Sequence, residues 1–521
     1  MKLIARLFLF VIFISLFLTG CESDKSKSKN EAPKPKDRNI GGFGIKRGLT
    51  KTTDGLADGY ILYAVYASPL VYLLNRKGEV MHQWKSNYGA MNAYLQDDGS
   101  VFIGVMDPDF PTFGGGGPTG RIQKINWDGK MLLDFELANE KEMLHHDFTI
   151  MPNGHILALA YEVLPYETAI AKGRKPEKAH TDGPWFEKVV ELEIVDKHHA
   201  EVVWEWHLWD HVIQDFDKTK NNFGNPSEHP ELIDINLGNT PPPLISEDSL
   251  EILRKKGRAS DNTTVGNRNA DVFHINAIKY NPQLDQIVLS SPNINEIFII
   301  DHNTTTKEAS AHKGGKSGKG GDLLYRWGNP KNYYRGDSTN QQLGGQHDAR
   351  WVETGFPGEG NLTIFNNNFP PSGPDSTAYS AVYEIKPPMD DKGNYILEKD
   401  KAYGPEKPSW RYTAENPLDF YSSFVSGAQR MKNGNTFINE GAKGRFFEVT
   451  PDGKIVWEYL NQYSGNITKP NGDPDQFPFK YFAFRSNFIP ADHPGLIGKK
   501  LKPINPQPEP FKLPDQKPAM K

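Results

Sequence analysis

The chain is poor in cysteine: Cys21 is the only one in 521 residues, so no disulfide can form within it. It has no large excess of either charge. Sixty Lys and Arg face 65 Asp and Glu, for a net charge of -5 and a pI near 6.3. That removes the electrostatic footprint of a nucleic-acid binder. No H-x-H or H-E-x-x-H pair offers a ready metal site, so no metal is expected. The long apolar run is confined to Leu7–Leu18. What the chain has in quantity is glycine (48), proline (39) and aromatics (12%), the composition of a folded, loop-rich β protein.

Lys2 and Arg6 precede the apolar run, which ends at Leu18-Thr19-Gly20-Cys21. A basic flank, a short apolar core and small residues before a cut describe a secretory signal over residues 1–20 rather than a membrane span. The tetrapeptide also matches the signal of bacterial lipoproteins, in which the cysteine, here Cys21, becomes the lipidated first residue. Glu22, where an aspartate would retain the protein at the inner membrane, favours an outer-membrane lipoprotein facing the periplasm or the cell surface. Residues 21–58 read as a lipidated cysteine and polar tether, 59–495 as the folded domain, and 496–521 as a Pro/Lys-rich tail.

Ser426–Leu460 is the most legible stretch. It divides into four short runs, Gly427–Met431, Asn435–Asn439, Arg445–Thr450 and Lys454–Leu460, separated by Asn433-Gly434 and Pro451-Asp452-Gly453 at the hairpin turns. The same four-run unit recurs from Met91, His146, His274 and His347. Half-units stand at Tyr60–Lys85 and at Phe482–Ile489. The outer runs share aromatics two residues apart (H-Q-W, V-V-W-E-W, L-Y-R-W, W-R-Y, V-W-E-Y), which places them on one face of a strand. Five full repeats and a split one predict an all-β, six-bladed β-propeller of four-stranded antiparallel blades, closed by its two termini. A β-solenoid is the competing architecture, but it does not explain the split repeat.

In such a meander the first strand lines the channel, and most long insertions fall on the rim where first strands begin. Three first strands begin with histidine: His145-His146-Asp147, His274 with Asn276, and His347-Asp348. The repeat brings them to one mouth, facing the elaborated rim. Asp147 and Asp348 are expected to point away from the channel. Asn367 and Arg445 lie on or beside second-to-third-strand loops, and Arg430 and Arg485 on first strands. Imidazoles and guanidinium groups together suit an oxyanion such as sulfate or phosphate. They also suit an imidazole-bound transition metal.

The segments D-V-F-H-I-N-A-I-K-Y-N, G-G-Q-H-D-A-R-W, N-L-T-I-F-N-N-N and F-Y-S-S-F-V-S-G-A-Q-R resemble the bacterial arylsulfotransferase family across most of Gly59–Pro490. The resemblance implies a six-bladed propeller that moves a sulfuryl group from an aryl sulfate to a phenol through a sulfated histidine, without a cofactor. His274 and His347 match family histidines that hold the sulfuryl group. The family's nucleophilic histidine has no counterpart in Asn416–Ser422, nor has its arginine after Phe365–Asn368, so His146 becomes the expected nucleophile. The alternatives are a non-catalytic propeller binding a sulfated or other anionic ligand, and a quinoprotein-like or metal-dependent enzyme.

Overall fold

Alternating apolar residues and tight turns every few residues give 27 short strands among the described residues. The computed structural model describes residues 44–107, 113–114, 116–255, 263–371, 377–465 and 480–511. Cys21, the signal segment, most of the tether and the end of the tail lie outside the described residues. The strands assemble into six antiparallel sheets of at least four strands, the blades of a β-propeller. Blade 2 runs from Gly89–Leu95 to Met131–Glu136, blade 3 from Glu142–Ile150 to Ala200–His207, blade 4 from Ala277–Asn281 to Tyr325–Trp327 and blade 5 from His347–Trp351 to Trp410–Tyr412. Blade 6 is the clearest. Gly427–Arg430, Thr436–Glu440, Arg445–Val449 and Ile455–Leu460 pair in sequence order. Its turns use Gly434 at φ 87° and Gly453 at φ 84°, where a Cβ would be strained.

Closure divides three to one. Gly59–Ala64, Leu70–Leu74 and Val80–Lys85 form the outer three strands of blade 1, and Ser486–Pro490 supplies the innermost. The N-terminal half-unit thus supplies three strands and the C-terminal one its inner strand, and the two share one blade as the repeats implied. Ordered contacts also extend past both expected ends of the domain. Gly48–Thr52 adds a fifth strand to the outer edge of blade 6. Ile504 and Gln507 bond to Val80.

Each seam between blades holds an apolar cluster. Tyr63 packs with Trp457 between blades 1 and 6, Trp84 with Ile103 between 1 and 2, and Phe102 with Val190 between 2 and 3. Trp206 with Ile287, Ile299 with Tyr383, and Val382 with Phe447 close the other three seams. Four outer-strand tryptophans also latch the next blade. Trp206 donates its indole N–H to Gly321 O, Trp327 to Pro405 O, Trp410 to Pro451 O and Trp457 to Arg76 O, each at 2.8 Å. The aromatic side chain contributes buried area, and its polar edge fixes the register of the seam.

The inner strands position the site. Three are bulged: Gly89–Leu95 near Met91, Glu142–Ile150 over His145–Asp147, and His347–Trp351 beyond His347. His146 and Asp348 sit in the bulges at φ 49° and 54°. A bulge re-aims side chains and is common beside functional sites. It also corrects the expectation for the two aspartates. Alternation breaks at the bulge, so Asp147 and Asp348 both meet the Arg485 guanidinium in the channel.

Candidate functional site

The channel carries a polar plug. Arg485, fully buried, places Nη1 2.9 Å from Asp348 Oδ1 and Nη2 3.6 Å from Asp147 Oδ2. Arg350 shares the same Asp348 oxygen at 2.8 Å, and Lys279 reaches Asp147 at 2.7 Å. Two carboxylates thus face three cations, and Arg485 stays firmly protonated: burial opposes its charge, but Asp348 and Asp147 outweigh it. On one side of the plug lies a cavity of about 1190 Å³, bounded by Leu95, Ile150, Lys279, Arg350 and Pro490 at the far ends of the inner strands. On the other side lie the histidines. Volume and chemistry disagree about the site. Chemistry is the better guide, because Lys279 and Arg350, the cations that reach the cavity from the plug, are already paired by carboxylates.

His146 and His274 come together edge to face, with ring centroids 4.4 Å apart. His145 Nδ1 lies 2.8 Å from His146 Nδ1, and the His145 ring stacks on Tyr161 at 3.7 Å. His145 Nε2 stands 2.7 Å from Glu187 Oε2, without the alignment of a hydrogen bond. His274 precedes its strand, Ala277–Asn281, rather than opening it. Its backbone is at φ 55°, and its Nδ1 is held by Asp271, which also accepts a 2.8 Å bond from Tyr161 Oη. His347 uses both nitrogens: Nδ1–H donates to Asn367 Oδ1 at 2.8 Å, and Nε2 accepts from the Val425 N–H at 3.2 Å. That pattern specifies a neutral imidazole.

The electrostatics separate these histidines. Burial pushes His145 and His347 down to about 3. His146 is also lowered well below 6.5, first by burial and then by the neighbouring His274, His145, His347 and Arg485. His274 moves the other way. Burial opposes its charge, but the Asp271 carboxylate more than compensates and raises it above 6.5. Glu187 is driven well above the ordinary carboxyl range by burial and by Asp271. The cluster therefore sets an imidazole whose proton Asp271 stabilises directly against one whose protonation burial disfavours, and pKa values pushed apart in this way mark acid/base division of labour.

The other expected site residues have different placements. Asn276 donates to Gln346 O at 2.9 Å and accepts nothing at Oδ1, which is buried. Asn367 clamps His347 and bonds to the carbonyls of Ser422 and Val425. Arg430 is tied to Glu384 across the seam of blades 5 and 6 and to Gly434 O. Arg445 is divided between Glu440 and Glu458 of its own blade. Neither arginine joins the histidines. Sequence reasoning missed Asp271, Tyr161 and Glu187. Asp271 carried a faint signal, three residues before His274, whereas Glu187 and Tyr161 reach the site only through strand pairing.

The arylsulfotransferase (ASST) family profile matches residues 50–469. The chain belongs to the arylsulfotransferase family. No curated protein matches it in sequence. Solved structures similar to it include a Bacteroides caccae protein of unknown function, at 10% identity over 78% of this chain and 95% of that one, with a TM-score of 0.39. Others are the catalytically inactive virginiamycin B lyase of Staphylococcus aureus with quinupristin (10%, 80% and 89%, 0.32) and Kuenenia stuttgartiensis hydrazine synthase (9%, 86% and 100%, 0.35). Likeness at that level carries no functional argument. The arylsulfotransferase match includes all four site histidines and ends before Arg485, so the plug's central cation lies outside the matched stretch.

Proposed function

We propose that the protein is a sulfuryl transferase acting on an aryl sulfate and a phenol, with His146 as nucleophile. The observation that carries this reading is the edge-to-face contact of His146, whose protonation burial disfavours, with His274, whose proton Asp271 stabilises. His146 Nδ1 is engaged by His145, which leaves Nε2 as the attacking atom. In the first step an N–S bond forms and the S–O bond to the aryl group breaks, with His274 giving its proton to the leaving phenoxide. In the second, neutral His274 takes the proton of the acceptor phenol. Its oxygen attacks sulfur, and His146 is released. Sulfuryl oxygens gain most from donors already fixed in a dry site.

Intact-mass measurement after incubation with an aryl sulfate should show one SO₃ group on the parent and none on His146→Ala. His274→Gln should lower kcat by about 10²–10⁴-fold, the usual weight of a general acid. No sulfated protein and no phenol release across a broad donor panel would sink the enzyme reading. A second reading, an anion-binding propeller without turnover, is favoured by the 3% exposure of His146. It predicts aryl sulfate-dependent thermal stabilisation that is lost in His347→Ala, with no sulfated intermediate. Anchoring through Cys21 belongs to the same proposal. Fatty-acid labelling of expressing cells should mark the parent and not Cys21→Ala, and equal labelling would reject it.

A further inference from the structure

At the seam of blades 3 and 4, outside the channel, three side chains from separate parts of the chain converge. His211 lies in the long segment after blade 3, and His312 and Asp322 stand at the two ends of a glycine-rich loop of blade 4. Their candidate ligand atoms all lie within 4.8 Å of one another. His211 Nδ1 and His312 Nδ1 approach the same oxygen, Asp322 Oδ1, at 2.7 and 2.8 Å. We propose that this is a divalent transition-metal site, of the zinc class, that clasps blade 3 to blade 4.

The hydrogen-bond inventory of His211 argues for it. The residue has no exposed surface, yet both ring nitrogens face oxygens: Nδ1 faces Asp322, and Nε2 lies 2.8 Å from Ala309 O. A neutral imidazole has one N–H and can satisfy only one of them. With a cation between Nδ1 and Asp322 the conflict disappears. Nε2–H donates to the Ala309 carbonyl, and the Nδ1 lone pair is free to ligate. A metal-bound histidine characteristically gives its second N–H to a backbone carbonyl in this way.

The surroundings hold that geometry in place. The His211 ring lies parallel to Trp206 at 5.4 Å and 1°, and Trp206 is itself latched to Gly321 O. A Cβ at Gly321 would stand 2.6 Å from His211 Nε2 and 2.0 Å from Ala309 O, so only glycine leaves room for this pair. His312 is the adjustable ligand, with 60% of its side chain exposed. Tetrahedral bonds of about 2.0–2.1 Å place donor atoms about 3.3 Å apart, so each histidine nitrogen needs to separate from Asp322 Oδ1 by roughly half an ångström. His312 supplies that movement on its own side by swinging outward, and a turn of the Asp322 carboxylate supplies it on the side of His211. Two imidazoles and a carboxylate with an open fourth position suit zinc or a neighbouring divalent metal and suit Ca²⁺ or Mg²⁺ poorly. The fourth position opens toward a cavity of about 750 Å³ bordered by Trp209, His229 and Glu231. No local motif betrays the site, because its ligands are far apart in sequence.

The test uses the full chain purified in detergent, stripped with a chelator and titrated calorimetrically with zinc chloride. One equivalent should bind and raise Tm. His312→Ala, an exposed and foldable change, should weaken binding at least 100-fold and abolish the Tm gain. Cobalt substitution should give visible d–d absorption in the parent and none in Asp322→Asn. If no stoichiometric zinc binds, or if His312→Ala binds as the parent does, the proposal is overturned. Zinc binding lost in His274→Gln but kept in His312→Ala would assign the metal to the channel and overturn it equally.

Discussion

Asp271 and His274 show how much one carboxylate decides. Burial alone would hold His274 neutral, as it does His145 and His347 at about 3. Asp271 reverses the sign and lifts it above 6.5. A raised histidine pKa means that the pairing stabilises fully below pH 6.5 and loses that contribution as pH rises through the folded value. In Asp271→Asn burial is opposed only by the weaker pull of Glu187, so the His274 midpoint in an NMR titration should fall relative to the parent. An unchanged midpoint would refute Asp271 as the cause. His145 and His347 act in the opposite sense. Their folded pKa values are depressed, so acidification below 6.5 protonates the unfolded chain first and removes stability. His145, His146, His274 and His347 were legible because the repeat places them at equivalent blade positions. Glu187 was not legible, since nothing near it in sequence indicates which strand it will face. Arg430 and Arg445 were picked for their charge, but the structure spends that charge on Glu384, Glu440 and Glu458.

At the level of strands and turns, the tryptophan latch is the recurring device. The aromatic outer-strand pattern was readable because residues two apart share a face. That the indole N–H then finds a carbonyl in the next blade depends on how sheets pack, which alternation does not encode. Trp84 supplies an internal control: it is as buried as Trp457, but its indole N–H has no hydrogen-bond partner. Trp457→Phe and Trp84→Phe remove similar volume, and only the first breaks a bond and strands the Arg76 carbonyl. Thermal or denaturant unfolding should show Trp457→Phe to be less stable by about 1–2 kcal/mol more than Trp84→Phe. Equal losses would mean that the latch contributes nothing. The inner-strand bulges were illegible for a related reason. A bulge is a mismatch of two residues against one across a pair of strands, and it exists only once both strands are aligned.

On the scale of the molecule, the family match and the six sheets agree with the propeller read from the repeats. Closure through both termini makes Ser486–Pro490 part of the same sheet as Gly59–Ala64, and it carries the adjacent Arg485 into the centre of the channel. The sequence by itself determined the architecture, because turn glycines, strand alternation and outer aromatics are local signals repeated along the chain. It also determined which mouth bears the histidines, since position within each repeat maps to position along the channel. Only the tertiary structure decided which histidine has its proton stabilised, that Asp147 and Asp348 turn inward onto Arg485, and that His211, His312 and Asp322 meet. The reason is physical: ionisation and ligation depend on distances of a few ångströms between blades, and those distances are set when the ring closes.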